Sequence, residues 1–265
     1  MTHWAMDSAN FDESAVRRWM LDHWTTGIYI SIGYVITLIA LKRWMENRQP
    51  FTLTAPLIAW NFLLGVFSIM GTTVLADDFF SVLKRLGFHD SYCYTGDYFK
   101  GQNGYWVFLF ALSKIAELGD TLFLALRKRP VLFLHWYHHA TVSAFSWVIY
   151  PYHPSVWRWI VGINYSIHAI MYPYYMFKAM GVKLPGFIPR IITAMQIAQF
   201  FIDIYIMVDL TKRAFNGTVG DCGLPPTWGC LVGLGLVISF LVLFMNYSYH
   251  SYFKRGGKHN RSKID

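Results

Sequence analysis

Charge is scarce in this chain. Of its 265 residues, 14% are Asp, Glu, Lys or Arg and 55% are hydrophobic, too little polar surface to cover a water-soluble domain of that length. Cysteine is scarcer still: three residues and no C-x-x-C pair exclude a disulfide scaffold. No internal repeat or low-complexity tract is visible, and no polar connection is long enough to fold as a separate domain. The first 26 residues are polar, carry both signs and contain no apolar core of a leader, so no secretory signal peptide is expected in them. The net charge of +8 raises the question of nucleic acid. The bases fall in short clusters between apolar runs, as loop residues of a membrane protein do, so no nucleic-acid partner is expected.

Seven apolar segments of about 20 residues, each near the length that spans a bilayer, run over 27–46, 55–75, 104–126, 131–149, 156–177, 188–210 and 228–252. Pro50, Pro130, Pro154, Pro185 and Pro225-Pro226 punctuate the gaps. The 18% aromatic content suits interfacial belts. The expected fold is therefore all-α: one seven-helix membrane domain over 1–265, with a short N-terminal segment (1–26) and a basic tail (254–265). The gaps after segments one, three and five, together with the tail, hold fourteen Lys and Arg, and the opposite side holds eight. The positive-inside rule then places the C-terminus in the cytosol and the N-terminus across the membrane. Cys93 and Cys222 share the non-cytosolic side, where a disulfide persists, and Asn216-Gly-Thr218 is a glycosylation sequon on that side. The tail ends in a basic pattern resembling an endoplasmic-reticulum retrieval signal.

The chemistry concentrates in four segments. Segment four opens His135-Trp-Tyr-His138-His139; at about 100° per residue the three imidazoles occupy one helix face. Ionisable groups at membrane depth are costly and by default mark a site. Segment three carries Lys114, Glu117 and Thr121 on one face with Asp120 aside, and Lys114 with Glu117 is also a simple i,i+3 ion pair. Segment five places Asn164, His168, Met171 and Tyr175 on one face. Segment six does the same with Thr193, Gln196, Gln199 and Asp203, which are equally suited to interhelical hydrogen bonds. Measured from the cytosolic ends, His138 and His139 lie roughly 11 Å deep, Glu117 and Asp120 roughly 9–14 Å, His168 roughly 14 Å, and the two glutamines roughly 12–17 Å. A polar layer beneath a basic rim, with apolar length beyond it, suits a ligand anionic at one end and hydrocarbon at the other. An acyl-CoA fits.

These motifs resemble the fatty acid elongases of the endoplasmic reticulum, the membrane 3-ketoacyl-CoA synthases. The resemblance is carried by K-x-x-E-x-x-D-T at Lys114–Thr121, H-x-x-H-H at His135–His139, N-x-x-x-H-x-x-M-Y-x-Y-Y at Asn164–Tyr175 and T-x-x-Q-x-x-Q at Thr193–Gln199, in order and at the family's spacing. The Trp-Tyr inside the histidine box is similar to the branch handling saturated and monounsaturated chains. The resemblance implies decarboxylative condensation of a long-chain acyl-CoA with malonyl-CoA, giving 3-oxoacyl-CoA, CoA and carbon dioxide, with no further cofactor and no metal. It implies six helices in a barrel around an acyl tunnel, with the first helix peripheral. It leaves open association with the other enzymes of the elongation cycle and with a second copy of the chain.

No cysteine falls in the polar layer, so an imidazole is the strongest nucleophile present. His138 or His139 would take the acyl group as an acyl-imidazole, the family's ping-pong route favouring His138, while His168 would hold or activate the malonyl unit. A carboxylate, Glu117 or Asp120, would fix the tautomer of the attacking ring, and Lys114 would neutralise that pair or donate to an oxyanion. Asn164, Gln196 and Gln199 are candidate donors to carbonyl or pantetheine groups, and Tyr172 and Tyr175 would line the mouth. Arg127 (with Lys128 and Arg129), Lys183, Arg190, Lys254 and Arg255 would meet CoA phosphates or serve only as topology signals. Two rival readings are a membrane di-iron desaturase or hydroxylase, which uses similar histidine boxes in greater number, and a seven-helix transporter.

Overall fold

The computed structural model describes residues 11–218 and 222–254, and among these every regular element is helical. Helix α1 (Glu13–Asp22) is short and amphipathic. Asp12 caps it by accepting from the Ala15 N–H at 2.9 Å, and Val16 and Met20, one turn apart, are fully buried. The segment expected to begin as a polar lead-in is thus packed into the fold. Helix α2 (Thr26–Met45) follows, then α3 (Thr54–Ser91). The second apolar segment ends near residue 75, but its helix runs on to residue 91 through Asp77, Asp78, Lys84 and Arg85, changing course at Gly87, whose φ of +75° suits glycine. Hydropathy marks where lipid ends, not where the backbone stops hydrogen-bonding to itself.

The third apolar segment divides at Glu117 into α4 (Gly101–Ala116) and α5 (Leu118–Leu126). The Glu117 N–H still reaches Ser113 O at 2.8 Å, but the Asp120 N–H closes the tighter ring to Glu117 O at 3.1 Å. Helices α6 (Phe133–Ile149), α7 (Trp157–Ala179), α8 (Ile188–Asn216) and α9 (Thr227–Ser248) complete the set, and a π turn (Tyr249–Phe253) continues α9. Helix α8 ends at Gly217, φ +67°. Helices α3 and α7 approach closely because Gly65 faces the Pro173 ring, where a Cβ would sit 3.2 Å from the ring carbon.

Among the described residues, four helices are long and apolar enough to cross a membrane: α2, α3, α8, and α9 with its π turn. The protein is a multi-pass membrane protein. Of the other expected spans, one is divided at Glu117, α6 has 17 residues, at the short end of the ~20 a bilayer asks for, and α7 carries Arg158, Asn164 and His168.

One end of the molecule is cross-tied. Cys93 and Cys222 form a disulfide, and Tyr94 and Cys222 make an isolated antiparallel bridge. Arg158, counted from sequence only as a loop charge, is 1% exposed there. Its Nε donates to Asp78 Oδ2 at 2.7 Å, its Nη groups donate to the Tyr94 and Thr95 carbonyls, and its guanidinium lies 4.7 Å from the Tyr98 ring. The turn after α6 is held from outside by α1. Arg17 Nε donates to Pro151 O at 2.7 Å, and His153, stacked 4.3 Å from Phe99, places Nδ1 3.3 Å from Glu13 Oε1. Glu13 would favour imidazolium, but burial, with Arg17 nearby, outweighs it and pushes the His153 pKa down to about 4.

Candidate active site

Glu117 sits at the α4–α5 break, where the tightened turn directs it across the bundle. Its Oε1 accepts from Lys114 Nζ at 2.8 Å and Ser113 Oγ at 3.1 Å, and lies 3.7 Å from His168 Nδ1 on α7. Lys114 also donates to Asn164 Oδ1 at 2.9 Å and lies over the Phe110 ring at 4.3 Å. Lys114, Glu117 and His168 are 4%, 4% and 8% exposed, so the pair is desolvated and its mutual hydrogen bonds are what make it tolerable. Two of the four motifs thus meet in one hydrogen-bonded group.

Asp120 does not join it. Trp60 Nε1 of α3 donates to its Oδ1 at 2.6 Å and Tyr172 OH of α7 to its Oδ2 at 3.1 Å, while Thr121 accepts from Tyr34 OH at 2.7 Å. That corner ties α2, α3, α5 and α7 together. The carboxylate found beside an imidazole is Glu117, and the ring is His168 rather than His138 or His139.

On α6 the His135 and His139 rings lie 4.4 Å apart and the His138 and His139 rings 5.6 Å apart, while His138 faces Phe240 of α9 at 4.7 Å. His138 alone of the three borders the elongated, mostly apolar cavity between the helices. Lys114, Asn164 and Gln199 border it too. From there the lining is dominated by apolar groups of α4, α6, α7, α8 and α9, reaching Ile149, Pro154, Leu210, Pro225 and Cys230 beside the cross-tied end. Two polar groups interrupt that lining, Ser146 and Asp203; Asp203 shares the helix face of Gln199 but was not among the residues singled out as a site. His135 does not border it, and its Nε2 is buried with no hydrogen-bond partner among the described residues.

The remaining candidates scatter. Gln196 approaches Met171 Sδ at 3.6 Å; Tyr175 is exposed, beside Tyr174, Tyr247 and Tyr252. Arg190 lies 5.8 Å from the Tyr252 ring, whose hydroxyl is 3.3 Å from Thr193 Oγ1. Arg127 borders a shallow depression with Phe51 and Thr54, and Lys183 and Lys254 are exposed. Asn216 is exposed at the end of α8. Arg255 and the retrieval-like tail lie outside the described residues. Among the described residues, no three His, Cys, Asp or Glu side chains converge so as to hold a metal ion.

A cavity with a polar head and a hydrocarbon wall, inside a bundle of membrane helices, has the shape and chemistry to suit a long apolar ligand with a polar end. The chain belongs to ELO, the GNS1/SUR4 family, whose model matches residues 19–260. It is 41% identical over 249 residues to long chain fatty acid elongase 1 of Caenorhabditis elegans, covering 94% of this chain and 86% of that protein. It is 38% identical over 254 residues to very long chain fatty acid elongase 6 of Drosophila melanogaster, covering 95% and 80%. Against very long chain fatty acid elongase 3 of Homo sapiens it is 36% identical over 200 residues, 75% and 74% of the two chains.

Proposed function

We propose that the protein is a fatty acid elongation enzyme that condenses a long-chain acyl-CoA with malonyl-CoA. The observation that carries this reading is the position of His138 at the junction of the polar group and the apolar cavity, where a thioester carbonyl and its hydrocarbon chain would be separated. A ring nitrogen of His138 attacks that carbonyl, the C–S bond breaks, and CoA leaves as thiolate and takes the N–H proton that the acylated ring gives up, so the acyl group rests on a neutral imidazole. Malonyl-CoA then loses carbon dioxide, and its enolate carbon attacks the acyl-imidazole. The C–N bond breaks, the departing ring takes one proton from water, and His138 returns neutral as 3-oxoacyl-CoA departs. Lys114, already bonded to Glu117 and Asn164, has a further donor for the oxyanion formed at each attack, held in place before it develops. Glu117 keeps Lys114 and His168 in register. The route needs no cofactor beyond its two CoA substrates.

The same reading takes α4 with α5, α6 and α7 as spans alongside the four longer ones, making seven, with α3–α9 around the tunnel and α2 outside it. It places the protein in the endoplasmic-reticulum membrane, N-terminus lumenal, C-terminus cytosolic, with Asn216 glycosylated on the lumenal side. Labelled malonyl-CoA should enter a chain two carbons longer than the acyl-CoA supplied. Protein quenched after acyl-CoA alone should carry the acyl mass on the peptide containing His138. His138→Ala should lose both signals and His139→Ala should keep the adduct site. An adduct elsewhere, or turnover intact in His138→Ala, rejects the nucleophile.

A further inference from the structure

Asp203 has no role in the condensation above, and its position is costly. The residue is 2% exposed, it borders the internal cavity, and its Oδ1 has no hydrogen-bond partner among the described residues. Gln199, one turn earlier on α8, borders the same cavity. Its neighbours in the lining along α8, Phe200 and Met207, are apolar. A buried carboxyl oxygen left unpaired beside hydrocarbon is destabilising, and an unsubstituted acyl chain brings no donor to it. A hydroxyl on the chain does.

We infer that Asp203 is a recognition site for a hydroxyl group carried on the acyl chain, so that the cavity selects hydroxylated long-chain acyl-CoAs. The inference rests on the reading that the cavity holds an acyl chain. Gln199 belongs to the polar head, and Asp203 lies four residues further along α8, ~6 Å deeper at helical rise, a span that roughly five carbon–carbon bonds cover. The hydroxyl therefore belongs at a fixed carbon several bonds beyond the thioester, where it donates to Oδ1 while the rest of the chain meets the apolar wall.

The test uses the full-length purified protein and acyl-CoAs of one length, one unsubstituted and the others with the hydroxyl walked carbon by carbon along the chain. Displacement of a fluorescent acyl-CoA reads binding, and incorporation of labelled malonyl-CoA reads turnover. One hydroxyl position, near the fifth carbon past the thioester, should bind about tenfold tighter than the unsubstituted chain, and Asp203→Leu should bring that ratio to about one. If the leucine variant does not fold, Asp203→Asn, of the same shape, should shrink the preference. A flat positional profile in the unaltered protein, or an optimum untouched by either substitution, overturns the inference. Absence of turnover with every chain would instead sink the proposed condensation, and the displacement profile would still decide whether Asp203 reads a hydroxyl.

Discussion

At the scale of single residues, the buried Lys114–Glu117 pair separates structure from chemistry. Removing one partner strands the other charge away from water, which costs about 3–5 kcal/mol, so Lys114→Met should lower the melting temperature sharply and abolish elongation. Restoring apolar balance with Glu117→Leu should recover most of the melting temperature and none of the turnover; a double variant that stays unstable would mean the pair is not an isolated unit. His153 gives a pH prediction. Its folded-state pKa is pushed to about 4 by burial, against ~6.5 for a free imidazole. Between those values the unfolded chain takes up a proton that the folded chain does not, so stability is full above pH 6.5 and declines as pH falls towards 4. The loss attributable to this residue is ~3 kcal/mol across the window, and His153→Gln should flatten that part of the melting-temperature profile. The residues of the candidate site were legible because a charge or imidazole at membrane depth is conspicuous in an apolar run. Their partners were not. Helical spacing says which face Asp120 shares, but not that Trp60 and Tyr172 would claim it, since that depends on how neighbouring helices are rotated.

At the scale of elements, the cross-tied end should behave as one cooperative unit. Arg158 closes the strap after α3 by hydrogen-bonding its carbonyls, and the Cys93–Cys222 bond joins that strap to the segment before α9 across 129 residues. Losing the disulfide should cost about 2–5 kcal/mol, and Arg158→Met, which leaves Asp78 buried in part and unpaired, a similar amount. Since both act on the Tyr94–Thr95 stretch, the combined variant should lose less than the two losses added; thermal melts of the three proteins check it, and strict additivity would show the ties to be independent. This explains why spans were easier to read than helices. Apolar run length located α2, α9 and the start of α8 closely, since lipid dictates it. It missed the overrun of α3 beyond residue 75 and the whole of α1, because water-exposed helix is stabilised by capping and packing that hydropathy does not register. The division at Glu117 was hidden for a different reason: no proline marks it, Gly119 two residues on is no stronger a signal than the glycines inside unbroken helices such as Gly162 and Gly233, and it falls where a buried carboxylate meets Lys114 and His168.

At the scale of the whole molecule, the cavity sets a length. Along α8 its lining runs from Gln199 to Leu210, eleven residues and hence ~16 Å, which roughly thirteen carbon–carbon bonds span when extended. The floor is made by the loop from Pro154 and by Pro225 and Cys230, held between the disulfide and α1, so it does not recede as a chain grows. A chain that fits between head and floor reaches His138 with its carbonyl; a longer one must bend or keep its thioester short of the ring. Elongation should therefore fall off steeply beyond acyl groups of about sixteen carbons. Gly233 lies midway along the wall, where an added Cβ would meet Met207 Cε at 3.0 Å and Phe145 Cζ at 3.1 Å. Both contacts are ends of side chains that can yield, so Gly233→Leu should fold while filling the passage. The longest product should then shorten by several carbons, read by gas chromatography of the acyl products across a ladder of substrate lengths, with turnover of the shortest substrates kept within about threefold, since the head at His138 is a full two turns away. If the product ladder is unmoved, the acyl chain does not run where the cavity does. In that case the alignment of polar head, apolar wall and closed floor would be a property of helix packing alone.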